Sequence, residues 1–244
     1  MKKQLKMLVW GLITLIATGC NTSGQQKSDK VSTTVQVVGA MKNVMMKGEL
    51  YGTINLDTLS NKEHLYGLGP VEYLTGEILI VDGKSYKGSV VNGSMMSVQE
   101  TFNLSATFLV YANVDKWKEQ NLPDDVKTLK QLETYLDEVT KTAKRPFAFK
   151  LMGTVESAGI HLVNLPKGSD VHSPEDAHVG EVKFKLANEK VQLVGFFSTE
   201  HKAVFTHHDT FIHVHLITSD RKKMGHLDEV NFKKGAMKLY LPVE

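Results

Sequence analysis

His213 and His215 flank Val214 in an HxH triplet, and His226 follows after ten intervening residues, all within FIHVHLITSDRKKMGHLDEV. FIHVHLIT is β-branched and apolar enough to form a strand, and strand residues two apart point to one face. The two imidazoles therefore project side by side. SDRKKMG has turn chemistry, after which a returning strand can carry His226 to the same place. Three neutral imidazoles converging from adjacent strands suit a zinc ion with an open fourth position, as catalytic zinc sites have. An HxH pair by itself is more often the wet face of a strand; the third histidine brings the metal reading level with that one.

The other histidines carry weaker signals. His207-His208-Asp209 lies just before the HxH strand, in VFTHHDTF, where it could orient a ligand imidazole or simply face solvent from a loop. His161, His172, His178 and His201 have no spacing that recommends them. Glu63-His64 reads as loop ahead of YGLGP. No GxGxxG, phosphate-binding loop or nucleophile elbow is present.

Strands are needed to position these groups, and the chain is rich in them. Glu77-Ile78-Leu79-Ile80-Val81 ends at Asp82-Gly83, a strong hairpin signal, and KSYKGSVV reads as the returning strand. SATFLVYANV is another strand. In PFAFKLMGTV, alternation sets Phe147, Phe149 and Leu151 on one face and Ala148, Lys150 and Met152 on the other. Residues 180–198 read as a hairpin turning at Asn188. Only one segment has a clear helical period: between Pro123 and Pro146, Val126, Leu129, Leu132, Leu136 and Val139 recur at three- and four-residue intervals. Asp124 and Asp125 suit its start and Arg145-Pro146 its stop. The pattern is α+β rather than alternating β/α.

The chain has 244 residues, with 41% hydrophobic and 23% charged residues, ordinary values for a globular protein. Residues 1–19 combine a basic start, MKKQLK, with the short apolar run MLVWGLITLIATG, and Cys20, the only cysteine, follows directly. This reads as a signal peptide ending in a lipobox-like ATGC, with Cys20 lipidated and residues 20–34 a polar tether. Such an anchor places the protein in the cell envelope, on a membrane and outside the cytoplasm. Losing residues 1–19 removes three lysines and no acid, taking the formal charge from +2 to −1. A near-neutral body offers no electrostatic footprint for nucleic acid.

Taken together, GELYGTINLDTLSNKEHLYGLGPVEYLTGEILIVDGKSYKG, RPFAFKLMG, LVGFFS and IHVHLITSDRKKMGH give the chain, from Val35 to Leu241, a resemblance to the α-acetolactate decarboxylases. The resemblance implies zinc held by His213, His215 and His226, with Glu77 matching the family's Gly-Glu strand start. Lys150 stands at the position matched to the family's active-site arginine. That is a departure, because an ammonium lacks the guanidinium fork that grips a carboxylate. The family also continues into a tail bearing an active-site glutamate, for which Glu244 is the only late candidate here.

The implied activity is zinc-dependent decarboxylation of 2-acetolactate to acetoin, with Glu77 handling the proton and Lys150 binding the departing carboxylate. Two alternatives stay open: a zinc enzyme for another hydroxy-oxo acid, and a non-catalytic envelope lipoprotein that binds a metal or ligand. The expected architecture is two β-rich lobes, a mixed sheet and a smaller antiparallel one, divided as 35–155 and 156–244. The first lobe carries Glu77 and Lys150, the second the histidines, and the site occupies the cleft between them. The partners expected are a small-molecule substrate, the membrane and, as an open option, a second copy in a homodimer.

Overall fold

Glu77–Val81 is buried at every position, so this run needs cover on both faces. It lies inside a six-stranded sheet of the computed structural model, which describes residues 34–243. The elements are β1 (Gln36–Val38), α1 (Met41–Lys47), β2 (Ile54–Asn55), β3 (Leu65–Pro70), β4 (Glu77–Val81), β5 (Lys84–Val91), β6 (Met95–Glu100), β7 (Ser105–Ala106), β8 (Leu109–Asn113) and β9 (Trp117–Asn121). Then follow α2 (Leu129–Val139), β10 (Phe147–Leu162), α3 (Pro174–Ala177), β11 (Val182–Ala187), β12 (Lys190–Phe197), β13 (Ile212–Thr218) and β14 (Met224–Pro242). The first sheet runs β1-β8-β3-β4-β5-β6 and the second β11-β10-β12-β13-β14-β9, with β2 and β7 as a small ribbon. The segment containing Cys20, and Glu244, lie outside the described residues. Among the described residues no helix is long and apolar enough to cross a membrane.

Both sheets are antiparallel throughout, and they are equal in strand number. The expectation of a mixed sheet with a smaller partner is corrected on that point. The expected boundary at 155/156 also falls inside β10, a single 16-residue strand. The Asp82-Gly83 turn is as read from the sequence: both residues have positive φ, 48° and 78°, and join β4 to β5.

Alternation decides what lies between the sheets. Leu79 and Val81 of β4 pack with Val194, Phe196, Ile217 and Met224 of the second sheet. Ile78 and Ile80 turn away, into a core closed by Leu56, Leu59 and Leu104. Glu77 shares the parity of Leu79, so it too points at the second sheet. In β13, His213 and His215 share the parity of Ile217 and face the first sheet, while Ile212, Val214 and Leu216 enter the core under α2.

That core contains Leu132 and Leu136 of α2, both fully buried, each contributing about 1.5–3 kcal/mol by leaving water. The helix is shorter than its hydrophobic period. Thr128 is the N-cap, in a capping box with Gln131, and Val139 is 46% exposed. Asp124 does not serve the helix start; its Oδ1 accepts from the Gly235 N–H over 3.0 Å and its carboxylate pairs with Lys234, at the bulge where the register of β14 against β10 shifts.

The expected hairpin at Asn188 is also corrected. β11 and β12 are successive parts of one ladder along β10, with Ser157 opposite Ala187 and Thr154 opposite Lys190 in unbroken register. Asn188, at φ 52°, kinks this edge instead of reversing it. Where Phe149 lies opposite Gly195, a Cβ on the glycine would sit 2.3 Å from the Phe149 ring, so only glycine fits beneath it. β10 pairs with β14 on its other edge, which joins β10, β12, β13 and β14 into a closed ring.

Candidate metal centre and active site

β13 carries His213 and His215, and β14 brings His226 opposite His215. The three ring centroids lie 5.0, 5.0 and 5.6 Å apart. Each Nδ1 is tied off. The His213 Nδ1–H donates to the Phe205 carbonyl over 2.7 Å, that of His215 to the Ile78 carbonyl over 2.8 Å, and that of His226 to Asp228 Oδ1 over 3.1 Å. A neutral imidazole that donates from Nδ1 has a bare lone pair at Nε2.

His213 Nε2 and His215 Nε2 stand 3.2 Å apart. With both protons on Nδ1 this approach is not a hydrogen bond but two lone pairs facing each other. The spacing matches two nitrogens on one tetrahedral zinc, which at about 2.0–2.1 Å per bond are about 3.3 Å apart. Burial holds His213 and His215 well below the ordinary histidine range, and pushes His226 down to about 3. All three therefore stay neutral at pH 7, the form that binds a metal. The donor set fits a divalent ion.

His207, from the loop before β13, joins them. Its Nε2 is 3.1 Å from His226 Nε2, and the ligand atoms of His207, His213 and His226 all lie within 4.8 Å of one another. The HHD run ahead of the HxH strand was the available signal for it. His161 was not recommended by spacing, yet β10 places it opposite His226 with ring centroids 4.6 Å apart. Its Nδ1–H donates to Asp228 Oδ1 over 2.6 Å, so one carboxylate holds both rings. Burial would lower His161 and raise Asp228. For His161 the neighbouring Asp228, Glu77 and Glu181 outweigh burial and raise it; for Asp228 the hydrogen bonds from His161 and His226 outweigh burial and depress it. Such cross-sheet neighbours leave no trace in linear spacing.

Glu77 arrives from the first sheet. It is 3% exposed, and its Oε2 lies 3.6 Å from His215 Nε2. Burial raises its carboxyl to about 8, so it is a proton carrier at neutral pH. Met41, Leu74, Phe108 and Val163 supply apolar walls to the cleft that Glu77, His207, His213 and His226 line.

Lys150 is not brought to this cleft. It lies on β10, in the sheet of the histidines and not with Glu77, and it is separated from His215 by Val194 of β12. Two strand spacings put its backbone roughly 9–10 Å from that of His215. Its Nζ turns instead into an aromatic box, 3.3 Å from the Tyr66 hydroxyl and 4.7 and 5.0 Å from the rings of Trp117 and Tyr240. Burial there lowers its pKa. Lys150 thus shares the face of the second sheet that carries His215, with its Nζ held in the aromatic box and not among the residues lining the cleft. No lysine or arginine is among the described residues lining the cleft.

The profile of alpha-acetolactate decarboxylase matches residues 38–241. An alpha-acetolactate decarboxylase of Brevibacillus brevis is 25% identical over 199 residues, which cover 81% of this chain and 66% of that protein, just under two thirds of its length. Among solved structures, a protein of unknown function similar to alpha-acetolactate decarboxylase from Staphylococcus aureus superposes with a TM-score of 0.71 at 17% identity. The alpha-acetolactate decarboxylase of Bacillus subtilis strain 168 gives 0.70 at 16%, and each match covers 86% of both chains. At these identities the structural likeness is one of fold.

Proposed function

The chain belongs to the alpha-acetolactate decarboxylase family, and on that premise we propose that it is a zinc-dependent carboxy-lyase converting 2-acetolactate to acetoin and carbon dioxide. The observation that carries the metal is the pair of bare Nε2 atoms of His213 and His215, 3.2 Å apart and fixed by carbonyl partners on Nδ1. Zinc held by His213, His215 and His226, when bound, supplies a Lewis acid to the hydroxyl and ketone oxygens of the substrate.

The chain's own residues do the remainder. Loss of carbon dioxide breaks a carbon–carbon bond and leaves its electron pair on the substrate. Glu77, protonated at neutral pH and within reach of the same space, returns a proton to that carbon. Phe108, Met41 and Val163 keep water from the reacting carbon, which strengthens every charge interaction in the cleft. His207 supplies a polar edge that orients the substrate's oxygens.

The test is direct. The purified protein is assayed for zinc and for acetoin formed from racemic acetolactate, before and after chelation. Acetoin formation lost on chelation and restored by zinc supports the reading. Full zinc occupancy with no acetoin removes it, leaving a zinc enzyme for another hydroxy-oxo acid or a metal-binding envelope protein.

The N-terminal sequence supports a location for this activity. We propose lipidation at Cys20 and attachment to the outer side of a bacterial membrane. Membrane association of Cys20→Ala equal to that of the unaltered protein would rule the anchor out.

A further inference from the structure

Glu181 directs one carboxylate oxygen at two imidazoles that it does not hydrogen-bond. Its Oε2 lies 3.6 Å from His161 Nε2 and 3.8 Å from His178 Nε2, beyond hydrogen-bond reach. The ligand atoms of these three residues all fall within 4.8 Å of one another. We propose that His161, His178 and Glu181 form a second divalent-cation site, distinct from the His213, His215 and His226 cluster.

The hydrogen-bonding pattern is that of the first cluster, with each Nδ1 held by an oxygen. The His178 Nδ1–H donates to the Pro174 carbonyl over 2.6 Å, and the His161 Nδ1–H donates to Asp228 over 2.6 Å. Both rings therefore commit Nδ1 to an oxygen acceptor and turn Nε2 towards Glu181. Ligands at about 2.0–2.2 Å from a zinc-class ion stand about 3.3–3.6 Å apart, so a small closure brings all three into coordination. Two imidazoles and a carboxylate with an open position is a donor set suited to zinc. The third grouping, in which Asp228 meets the Nδ1 atoms of His161 and His226, is already satisfied by hydrogen bonds and leaves no room for an ion.

Local sequence explains the convergence. Ser173 caps the short α3, Pro174 starts it, and the chain turns at His178 so that the Glu181 N–H donates to the His178 carbonyl over 3.1 Å. This sets His178 and Glu181 on one side of the turn, facing His161 on β10. The side chains of His161 and Glu181 are only 7% and 12% exposed. Glu181 Oε1 pairs with the exposed Lys183 Nζ at 3.3 Å, which leaves Oε2 free for the histidines. His161 and His178 also line the cleft shared with His213, so an ion there adds positive charge where no described lining residue is lysine or arginine.

The test counts metal. The full-length protein is loaded with excess zinc, freed of loosely held ion by dialysis, and analysed by elemental mass spectrometry. Two equivalents are expected. Glu181→Gln and His178→Gln should each retain one, as should His213→Ala with His215→Ala; the combination of Glu181→Gln with that pair should retain none. His178 and Glu181 sit in a surface turn, and circular dichroism of both variants confirms folding. An equivalent count in the unaltered protein, whether one or two, that survives unchanged in both Glu181→Gln and His178→Gln overturns the site and makes this cluster an imidazolium–carboxylate ion pair. Loss of one equivalent on Glu181→Gln upholds the site even if the His213 cluster binds nothing, so the two metal readings fail separately.

Discussion

The His215 Nδ1–H donates to the Ile78 carbonyl over 2.8 Å, tying β13 of the second sheet to β4 of the first. Ile78 follows Glu77 directly, so one bond both fixes the tautomer of a candidate ligand and sets the carboxyl 3.6 Å from it. The candidate site is therefore a property of the contact between sheets, and disturbing either strand should move both groups.

His213→Ala with His215→Ala removes two of three expected protein ligands. Bound zinc at this cluster should fall by one equivalent, and acetoin formation should fall with it. Removing a group that merely orients a ligand costs about 10–100-fold in affinity, so losing two ligands should exceed that. Zinc analysis and an acetoin assay on the folded variant check this, and activity that survived would place the metal elsewhere.

Asp228→Asn keeps the shape but weakens the acceptor shared by His161 and His226. Zinc affinity at the His226 cluster should drop by about 10–100-fold, measured by competition with a chromogenic chelator. Unchanged affinity would show that the carboxylate does not orient His226.

Glu77 gives a pH dependence with a definite sign. In the unfolded chain its carboxyl ionises near the ordinary 4.5, whereas burial in the folded chain raises it to about 8. Between these values the folded state binds the extra proton, so this group makes the metal-free protein lose stability as pH rises. Metal-free Glu77→Gln, which cannot ionise, should melt within a degree or so of the unaltered protein at pH 5 and above it at pH 9, by about 2–4 °C per kcal/mol relieved. Activity that needs the protonated form should decline above pH 8, and Glu77→Gln should lose about 10²–10⁴-fold in kcat. A variant of undiminished kcat would remove Glu77 from the chemistry.

Lys150→Met tests what the aromatic box contributes. The lysine's place in the Tyr66, Trp117 and Tyr240 box is worth about 0.5–2 kcal/mol, so the melting temperature should fall by a few degrees. Zinc content and kcat/KM should stay within about threefold. A hundredfold loss of activity in a fully folded variant would return Lys150 to the site.

What could be read from the sequence follows from what is local in it. The β4–β5 hairpin was legible because Asp82-Gly83 states its turn chemistry in two residues. The convergence of His213, His215 and His226 was legible because strand period and one short turn place them. The placement of His161 and Asp228 depends on β10 lying beside β14, which has no local signature, and the Ser173-Pro174 start of α3 announces a turn without saying which strand His178 and Glu181 will face. Lys150 alternates with the correct partners on β10, but alternation gives the face of a strand and not the position across a sheet. At Asn188 the residue type that allows a reversal equally allows a kink, and only the long partner β10 decides between them.

The closed circuit of β10, β12, β13 and β14 bears on how errors in assembly are avoided. Sliding β13 by one residue against its neighbours would exchange its faces, turning Val214 and Leu216 towards Glu77 and driving both imidazoles into the apolar interior. In an open sheet that mistake needs one pairing to shift; in a closed one the neighbours on both sides must shift together, all around the circuit. The alignment that gathers the imidazoles is thus proofread by topology, and the candidate donors are set in place by the fold itself.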